Sequence, residues 1–343
     1  MADTPSKKAQ AWVLFDEVVG RAAVNGHTNP WKIDSAGVGH YAVDYDTLHA
    51  LLGIALHLKA PTTSGVPALA LDVWVAYELR RAGFDENAVW PRATAPRVYP
   101  TVITSLLKGL TKKESAPITE KIASGKTIAG AVASSAKILG KNYVKQVDVV
   151  MSSWETGPEI MISTKRMDSS FGKNAANRVE ESYGDAKNLR SRHPQSALGF
   201  VYGLRSTVLN ENGPTADWIK DLLQKLGRED DAYDAVTLLM LDYSSDSPIE
   251  PDDFGDGENA KAEAGLEPDT SLDEDEELSE ISDEELNDTL ANLPVVSVLL
   301  NEVPPLLRPE HFFATMVSRV LDNSPVTFHS GARAKRTNPV LLG

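Results

Sequence analysis

The chain contains no cysteine among its 343 residues. This absence excludes disulfide bonds, thiolate nucleophiles and cysteine-ligated zinc or iron–sulfur centres, and it is compatible with a reducing cytoplasm. Long hydrophobic runs are also missing, since no segment approaches the roughly 18 apolar residues that a membrane span needs. Residues 1–12 are polar and lack the apolar core of a secretory signal. We therefore expect a cytoplasmic protein without a membrane segment.

Basic charge is scarce overall, because the formal net charge is −15. Taken alone, that value argues against a nucleic-acid partner. The acidic residues are concentrated, however, since 19 Asp or Glu and a single basic residue, Lys261, lie in the segment 246–288. This segment carries −18, which leaves +3 for the other 300 residues. The body of the protein is near neutral to slightly basic, so its charge does not exclude nucleic acid.

The acidic segment 246–288 has three prolines and one aromatic residue, Phe254. It cannot bury enough apolar area to offset its conformational entropy, so we predict a disordered insert at the tip of a hairpin. Its part 273–290 has the composition of a transient helix. Two interpretations stay open: a solvated linker, or a DNA mimic that screens non-specific binding. The second predicts that deleting 246–288 tightens non-specific DNA binding at low salt.

The pattern along the chain predicts an α/β (α+β) protein. Residues 1–105 are mainly helical, 106–245 with 291–330 form an α/β core, and 331–343 are a basic tail. Hydrophobic periodicity predicts the following elements: helices 9–22, 45–58, 66–82, 118–139, 174–190, 216–226 and 309–320, and strands 144–152, 158–167, 197–204, 235–243 and 293–300. These elements predict a mixed sheet flanked by helices.

Asp148 and Lys165 stand out as candidate site residues. Only 16 residues separate them, so a hairpin can place them side by side on adjacent strands. Carboxylates bind Mg²⁺ through oxygen. The ion polarises a phosphate and lowers the pKa of an attacking water, while a lysine stabilises the developing negative charge. An acid and a lysine in one cleft therefore indicate metal-dependent phosphodiester hydrolysis.

The segment 147–190 reads VDVVMSSWETGPEIMISTKRMDSSFGKNAANRVEESYGDAKNLR. Its order of Asp-bearing strand, Lys-bearing strand and helix, between a preceding helix and a following strand, resembles the PD-(D/E)XK nuclease superfamily, which includes many restriction endonucleases. The resemblance covers residues 118–204, about a quarter of the chain. It implies a restriction-endonuclease-like fold and a Mg²⁺-dependent endonuclease of type II that acts on double-stranded DNA. It further implies a homodimer, since cutting both strands needs two sites, and a cognate methyltransferase in the same system.

The family pattern has an acid two residues before the lysine, where this chain has Ser163. Some members take a replacement from the following helix, and here Glu180 or Glu181 is available. Both lie off the predicted core stripe, and neither is preferred. Glu159 shares the strand face of Lys165 but lies about 20 Å away along the strand, too far to share a metal ion. The predicted metal ligands are therefore Asp148 with Glu180 or Glu181, and Lys165 is the predicted catalytic cation.

Basic residues follow the proposed site. Together with the eight lysines of 108–145, they can neutralise phosphates of a DNA backbone, although lysines on helices are also ordinary solvated residues. The candidates are Lys173, Arg178, Lys187, Arg190 and Arg192. Ser163 keeps a second class open, a catalytically inactive nuclease-like module that binds DNA or protein. A third is an interaction module whose acidic insert recruits a basic partner.

Overall fold

The computed structural model describes residues 5–24, 28–123, 133, 135–244 and 282–341. Its helices are α1 (Lys7–Val24), α2 (Tyr45–His57), α3 (Val66–Arg81), α4 (Thr101–Gly109), α5 (Lys112–Ala123), α6 (Phe171–Arg190), α7 (Val208–Glu211), α8 (Gly213–Leu226), α9 (Asp283–Ala291), α10 (Pro309–Asn323) and α11 (Ser330–Thr337). Its strands are β1 (Trp31–Ile33), β2 (Gly39–Tyr41), β3 (Val89–Trp90), β4 (Ala136–Leu139), β5 (Val144–Val147), β6 (Val149–Ser153), β7 (Gly157–Met167), β8 (Ala197–Arg205), β9 (Ala235–Tyr243), β10 (Val296–Val298) and β11 (Val340–Leu341).

A six-stranded sheet in the order β10-β9-β8-β7-β6-β3 forms the centre of the fold. Strands β7, β8 and β9 run parallel, and the other neighbouring pairs are antiparallel. The apolar run of β8 is buried over residues 197–204, because helices cover the sheet on both faces. The predicted α/β class with a mixed, helix-flanked sheet is confirmed.

Two cores lie on opposite faces of this sheet. On the α3-side face, α1, α2, α3 and α10 pack against the sheet, with Trp74 and Phe313 among the buried residues next to Ile162. On the α6-side face, α6 and α8 contribute Val179 and Leu223 to a second core. The N-terminal helices therefore share their core with the sheet, and β3 adds an edge strand from the same region.

The predicted strand 144–152 is interrupted at Asp148. The half before it, β5, pairs with β4 in a separate two-stranded sheet, and the half after it, β6, belongs to the six-stranded sheet. Val147 consequently packs into the α6-side core, whereas Val149 and Met151 pack into the α3-side core. The prediction of one continuous strand was wrong, because the residue type is equally suited to a strand on both sides of the break.

The predicted helix 118–139 also differs from the structure. Helix α5 ends at Ala123, and the residues from Ala136 to Leu139 form strand β4, which pairs in register with β5. Pairing with a partner strand outweighed the local helical pattern, as is common for short segments. Residues 124–132 and 134 lie outside the described residues.

The acidic insert joins β9 to β10, as predicted, because these strands pair antiparallel with Tyr243 opposite Val296. Residues 245–281 lie outside the described residues, so disorder there stays a prediction. Residues 283–288 begin α9, which agrees with a helix within 273–290, although this helix is packed on the core and not transient. The side chain of Ser282 accepts a hydrogen bond from the backbone N–H of Glu285 (3.3 Å), and Leu286 and Leu290 pack against the α3-side core.

The basic tail is part of the fold where it is described. Arg333 of α11 donates hydrogen bonds to the backbone oxygens of Leu321 and Ser324, and β11 pairs parallel with β1. Over the residues that the structure describes, every helix is too short or too polar to cross a lipid bilayer.

Candidate functional site

The junction between β5 and β6 brings Asp148 next to β7. Strands β6 and β7 are antiparallel, with Val149 opposite Ile162. Asp148 precedes β6, and its Oδ2 accepts a hydrogen bond from the backbone N–H of Thr164 (2.8 Å). The carboxylate thus takes an acceptor position that a backbone carbonyl has in a regular ladder. Lys165 follows Thr164, and its side chain lies on the opposite face of β7, the α6-side face of Met161 and Ser163, because successive strand residues alternate between the two faces. The meeting of the Asp148 and Lys165 side chains therefore stays a prediction.

A second carboxylate, which the sequence did not single out, comes from α3. The hydroxyl of Thr164 donates a hydrogen bond to Oδ1 of Asp72. Thr164 therefore holds one carboxylate through its N–H and another through its O–H. Asp72 is the lone acid between Leu71 and Val73 in a helix that is otherwise mostly buried. An acid flanked by apolar residues was the available signal, but α3 also carries Glu78, and the pattern does not reveal the partner of either acid.

The surroundings of Asp72 and Asp148 disfavour a negative charge on both carboxylates at once. The pKa of Asp72 is raised well above its usual value, mainly by burial and secondly by the negative charge of Asp148. The hydrogen bond from Thr164 and the positive charge of Lys165 lower it. A bound cation would relieve this repulsion, and Lys165 makes no ion pair or hydrogen bond within the described residues that would commit its ammonium elsewhere.

The position of the missing acid, Ser163, is buried on the α6-side face. There it lies beside Tyr233, whose hydroxyl donates to the backbone oxygen of Ser182 on α6 (2.9 Å). Burial is the main reason why the pKa of Tyr233 is raised, and the negative charges of Asp185, Asp148 and Glu181 raise it further. A hydrogen bond with the Ser163 side chain lowers it. A neutral hydroxyl pair thus occupies the place where the family pattern has a carboxylate.

The structure separates the two helix acids that the sequence left equivalent. Glu181 is half-buried and close enough to Tyr233 for its charge to act there together with that of Asp148. Glu180 is exposed and lines a groove between α6 and α8 beside Trp218. Glu181 is therefore on the side of α6 that faces Asp148, and Glu180 is not. Glu159 pairs with His329 instead (2.8 Å).

The carboxylates near Thr164 can be compared with the ligands that a Mg²⁺ ion requires. Over the described residues, no group of three or more Asp, Glu, His or Cys side chains comes together in a way that could hold a metal ion. Mg²⁺ is usually bound by one or two carboxylates, with waters and substrate phosphates completing its shell. Asp148 with Asp72 meets this requirement, and Glu181 is a further acid whose charge acts on Tyr233 together with that of Asp148. The residues present therefore fit a Mg²⁺ ion that shares its shell with substrate.

Two of the basic residues predicted to contact DNA have other roles. Arg190 pairs with Asp234 (2.5 Å) and donates to the backbone oxygen of Ser196 (2.8 Å). The hydroxyl of Ser196 in turn bonds to Pro158 at the start of β7, seven residues from Lys165, or roughly 23 Å along the strand. Arg190 therefore fixes the far end of α6. Lys187 lies one turn earlier and pairs with Asp231 (2.7 Å).

The remaining candidates have different positions. Arg192 is exposed just beyond the end of α6 and thus also far from Lys165. Arg178 is half-buried, and its positive charge acts on Tyr202, the strand partner of Lys165. The side chain of Lys173 lies outside the described residues. Arg178 is therefore the candidate that the fold places nearest to the site.

The lysines of 108–145 divide into two groups. Lys145 is buried, with its Nζ 2.8 Å from Oδ2 of Asp185, so it is not available to a phosphate. Lys108, Lys112, Lys113 and Lys121 are exposed on α4 and α5, and Lys137 and Lys141 are exposed in the β4–β5 hairpin. The α4–α5 lysines follow β3, the strand that pairs with β6, and both exposed sets can meet a partner. Lys126 lies outside the described residues.

In comparisons with known proteins, no family model, no curated protein and no solved structure matches this chain. The chain has a mixed α/β fold in which Asp148 of the central hairpin and Asp72 of α3 are both hydrogen-bonded to Thr164, next to Lys165 in the chain. Its function follows only from this arrangement and its chemistry.

Proposed function

We propose that this protein is a Mg²⁺-dependent DNA endonuclease of restriction type, with a restriction-endonuclease-like fold, that hydrolyses phosphodiester bonds in double-stranded DNA. The observation that carries the proposal is the arrangement around Thr164. Its N–H holds Asp148, its hydroxyl holds Asp72, and the neighbouring residue is Lys165. Asp148 at the start of β6, Asp72 on α3 and Lys165 on β7 all lie near Thr164, and this nearness supports a site with two oxygen ligands and a cation.

Each residue has a defined task in this proposal. Asp148 and Asp72 hold Mg²⁺, with Glu181 as the acid from the following helix. Bound there, the ion polarises the phosphate and lowers the pKa of a coordinated water. The ammonium of Lys165 stabilises the negative charge that develops on the phosphate oxygens. Thr164 keeps both carboxylates oriented before substrate arrives, which reduces the reorganisation needed during the reaction.

Ser163 favours the alternative of a catalytically inactive nuclease-like module that binds DNA or protein. Its neutral hydroxyl replaces an acid, and without Asp72 or Glu181 only Asp148 would remain as a charged ligand. The two functions differ in what Asp72 does. As a ligand it is required for cleavage, whereas in a binding module its replacement leaves DNA affinity unchanged.

The deciding experiment measures cleavage of plasmid and phage DNA with Mg²⁺. We expect wild type to cut, and Asp148→Asn, Asp72→Asn and Lys165→Ala each to slow cutting by about 100-fold or more. Glu284→Gln, at an exposed position of α9, is the matched control, and its rate should stay close to wild type, while Glu181→Gln should lose activity. Binding to the same DNA with Ca²⁺ in place of Mg²⁺ is measured in parallel. Binding without cleavage by wild type would establish the alternative, and absence of both would refute each.

Two partners follow from the same proposal. Double-strand cutting by one site per chain needs a homodimer, and an enzyme that cuts its host's recognition sequence needs a methyltransferase in the same system to protect that sequence. A neighbouring methyltransferase gene would support the restriction role.

A further inference from the structure

A groove between α6 and α8 lies on the outer surface of the α6-side helices. Its volume is about 390 Å³, within the range of binding clefts. Its floor is apolar, formed by side chains such as Val179, Leu222 and Trp218, and the Trp218 side chain is 42% exposed. An exposed tryptophan beside other apolar side chains is typical of a surface that takes a partner.

The rim of this groove is negative. Glu180 and Glu229 lie on it and are exposed, and neither makes an ion pair within the described residues. The lysine of the lining, Lys225, is paired with Asp221 (2.5 Å). The groove therefore suits a partner segment that combines apolar side chains with unpaired positive charge.

Helices α4 and α5 have the complementary surface. No residue of α4 is buried, and Val102 and Leu106, one turn apart on its surface, are 52% and 60% exposed. Lys112 and Lys113 follow directly at the exposed start of α5. We call residues 101–123 the arm. It presents an apolar pair next to lysines, which matches an apolar floor next to glutamates.

Arm and groove belong to the same chain, yet both are exposed in it, so the arm does not fill the groove of its own chain. A second copy can satisfy both surfaces at once. In a two-fold dimer, each arm meets the partner's groove, and the same contact occurs twice. We propose that this protein forms a homodimer in which the arm of each subunit docks into the α6–α8 groove of the other. This identifies the surfaces of the homodimer that the proposed cleavage function requires, and it is tested by mass without any cleavage assay.

Charge reversal of the full chain tests the pairing, with mass measured by analytical ultracentrifugation. The groove variant carries Glu180→Lys and Glu229→Lys, and the arm variant carries Lys112→Glu and Lys113→Glu. Each alone brings like charges together at both contacts, so its dimer should dissociate at least about tenfold more readily than wild type. In an equimolar mixture, each arm again meets a groove of opposite charge, and dimers should return. Glu284→Lys on α9 is the control and should leave the mass unchanged.

Several results would overturn the proposal. Wild type could be monomeric at tens of micromolar, both reversed variants could dimerise as wild type does, or the mixture could stay monomeric. If the arm variant keeps the dimer mass but loses affinity for a DNA duplex, the arm contacts nucleic acid instead. Circular dichroism of each variant shows whether it is folded, and Leu106→Gln tests the apolar part without changing charge.

Discussion

The buried ion pair between Lys145 and Asp185 ties the β4–β5 sheet to α6. The two side chains are only 5% and 8% exposed, with Nζ and Oδ2 2.8 Å apart, and the hydroxyl of Tyr143 donates to Oδ1 of Asp185 (3.0 Å). Replacing Asp185 by Asn takes away the negative charge that this ion pair supplies to the buried lysine ammonium. Removing one partner of a buried ion pair lowers the free energy of unfolding by about 3–5 kcal/mol. Asparagine keeps a polar side chain at this position, so we expect a loss near the lower end, about 3 kcal/mol.

Urea unfolding followed by circular dichroism measures this change. Lys141→Ala is the control, because Lys141 is exposed in the same hairpin, and it should change the free energy of unfolding by no more than about 0.5 kcal/mol. The double variant Lys145→Met with Asp185→Leu removes both charges and should recover most of the loss. A cost below about 1 kcal/mol for Asp185→Asn would refute the reasoning, since the pair would then not be desolvated. Lys145 would then count among the lysines that can contact DNA.

Three further outcomes are expected. Arg190→Ala should lower the free energy of unfolding by about 3 kcal/mol and Arg192→Ala by less than about 0.5 kcal/mol, in the same urea assay; equal losses would contradict the structural role of Arg190. Because the pKa of Asp72 is raised in the folded protein, ionisation of this carboxyl favours the unfolded state above the ordinary carboxyl pKa of about 3.9. Asp72→Asn should therefore be more stable than wild type at pH 7 and equal to it near pH 3, and a variant less stable at pH 7 would contradict this. Added Mg²⁺ should stabilise only wild type. Gly140→Ala would place a methyl 2.1 Å from the amide nitrogen of Asn188 and should cost about 1–3 kcal/mol, seen as a lower thermal midpoint; an unchanged midpoint would show that Asn188 can move away freely.

Local pattern was sufficient for much of the sheet. Alternation along 158–167 puts Ile160 and Ile162 on one face and Met161 on the other, and the two cores contain them accordingly, because a strand between two helical layers has apolar residues on both sides. The continuous apolar run of β8 marked a central strand for the same reason. Caps and prolines placed helix ends well, as at Pro309, the first residue of α10.

Hydrophobic patterns gave wrong secondary structure where the choice of strand partner determines it. Residues 136–139 have no local preference strong enough to identify a strand, and their partner β5 determines their state. The break at Asp148 was invisible for the same reason, since VKQV and VVMS are both strand-like and only their different partners separate them. Leu286 and Leu290 were too few apolar residues in an acidic segment to predict a packed helix.

By itself, the sequence determined the hairpin that sets the strand after Asp148 beside the strand of Lys165, because the 16 residues between them contain one short turn. Tertiary structure alone decided which other carboxylate lies near Asp148. Asp72 lies on a helix far away in sequence, and only the packing of α3 on the sheet brings it to the hydroxyl of Thr164. The orientation of α6 likewise turns Glu181 toward Tyr233 and Glu180 toward solvent. These two residues are neighbours in the sequence, and only the surface against which the helix packs distinguishes them.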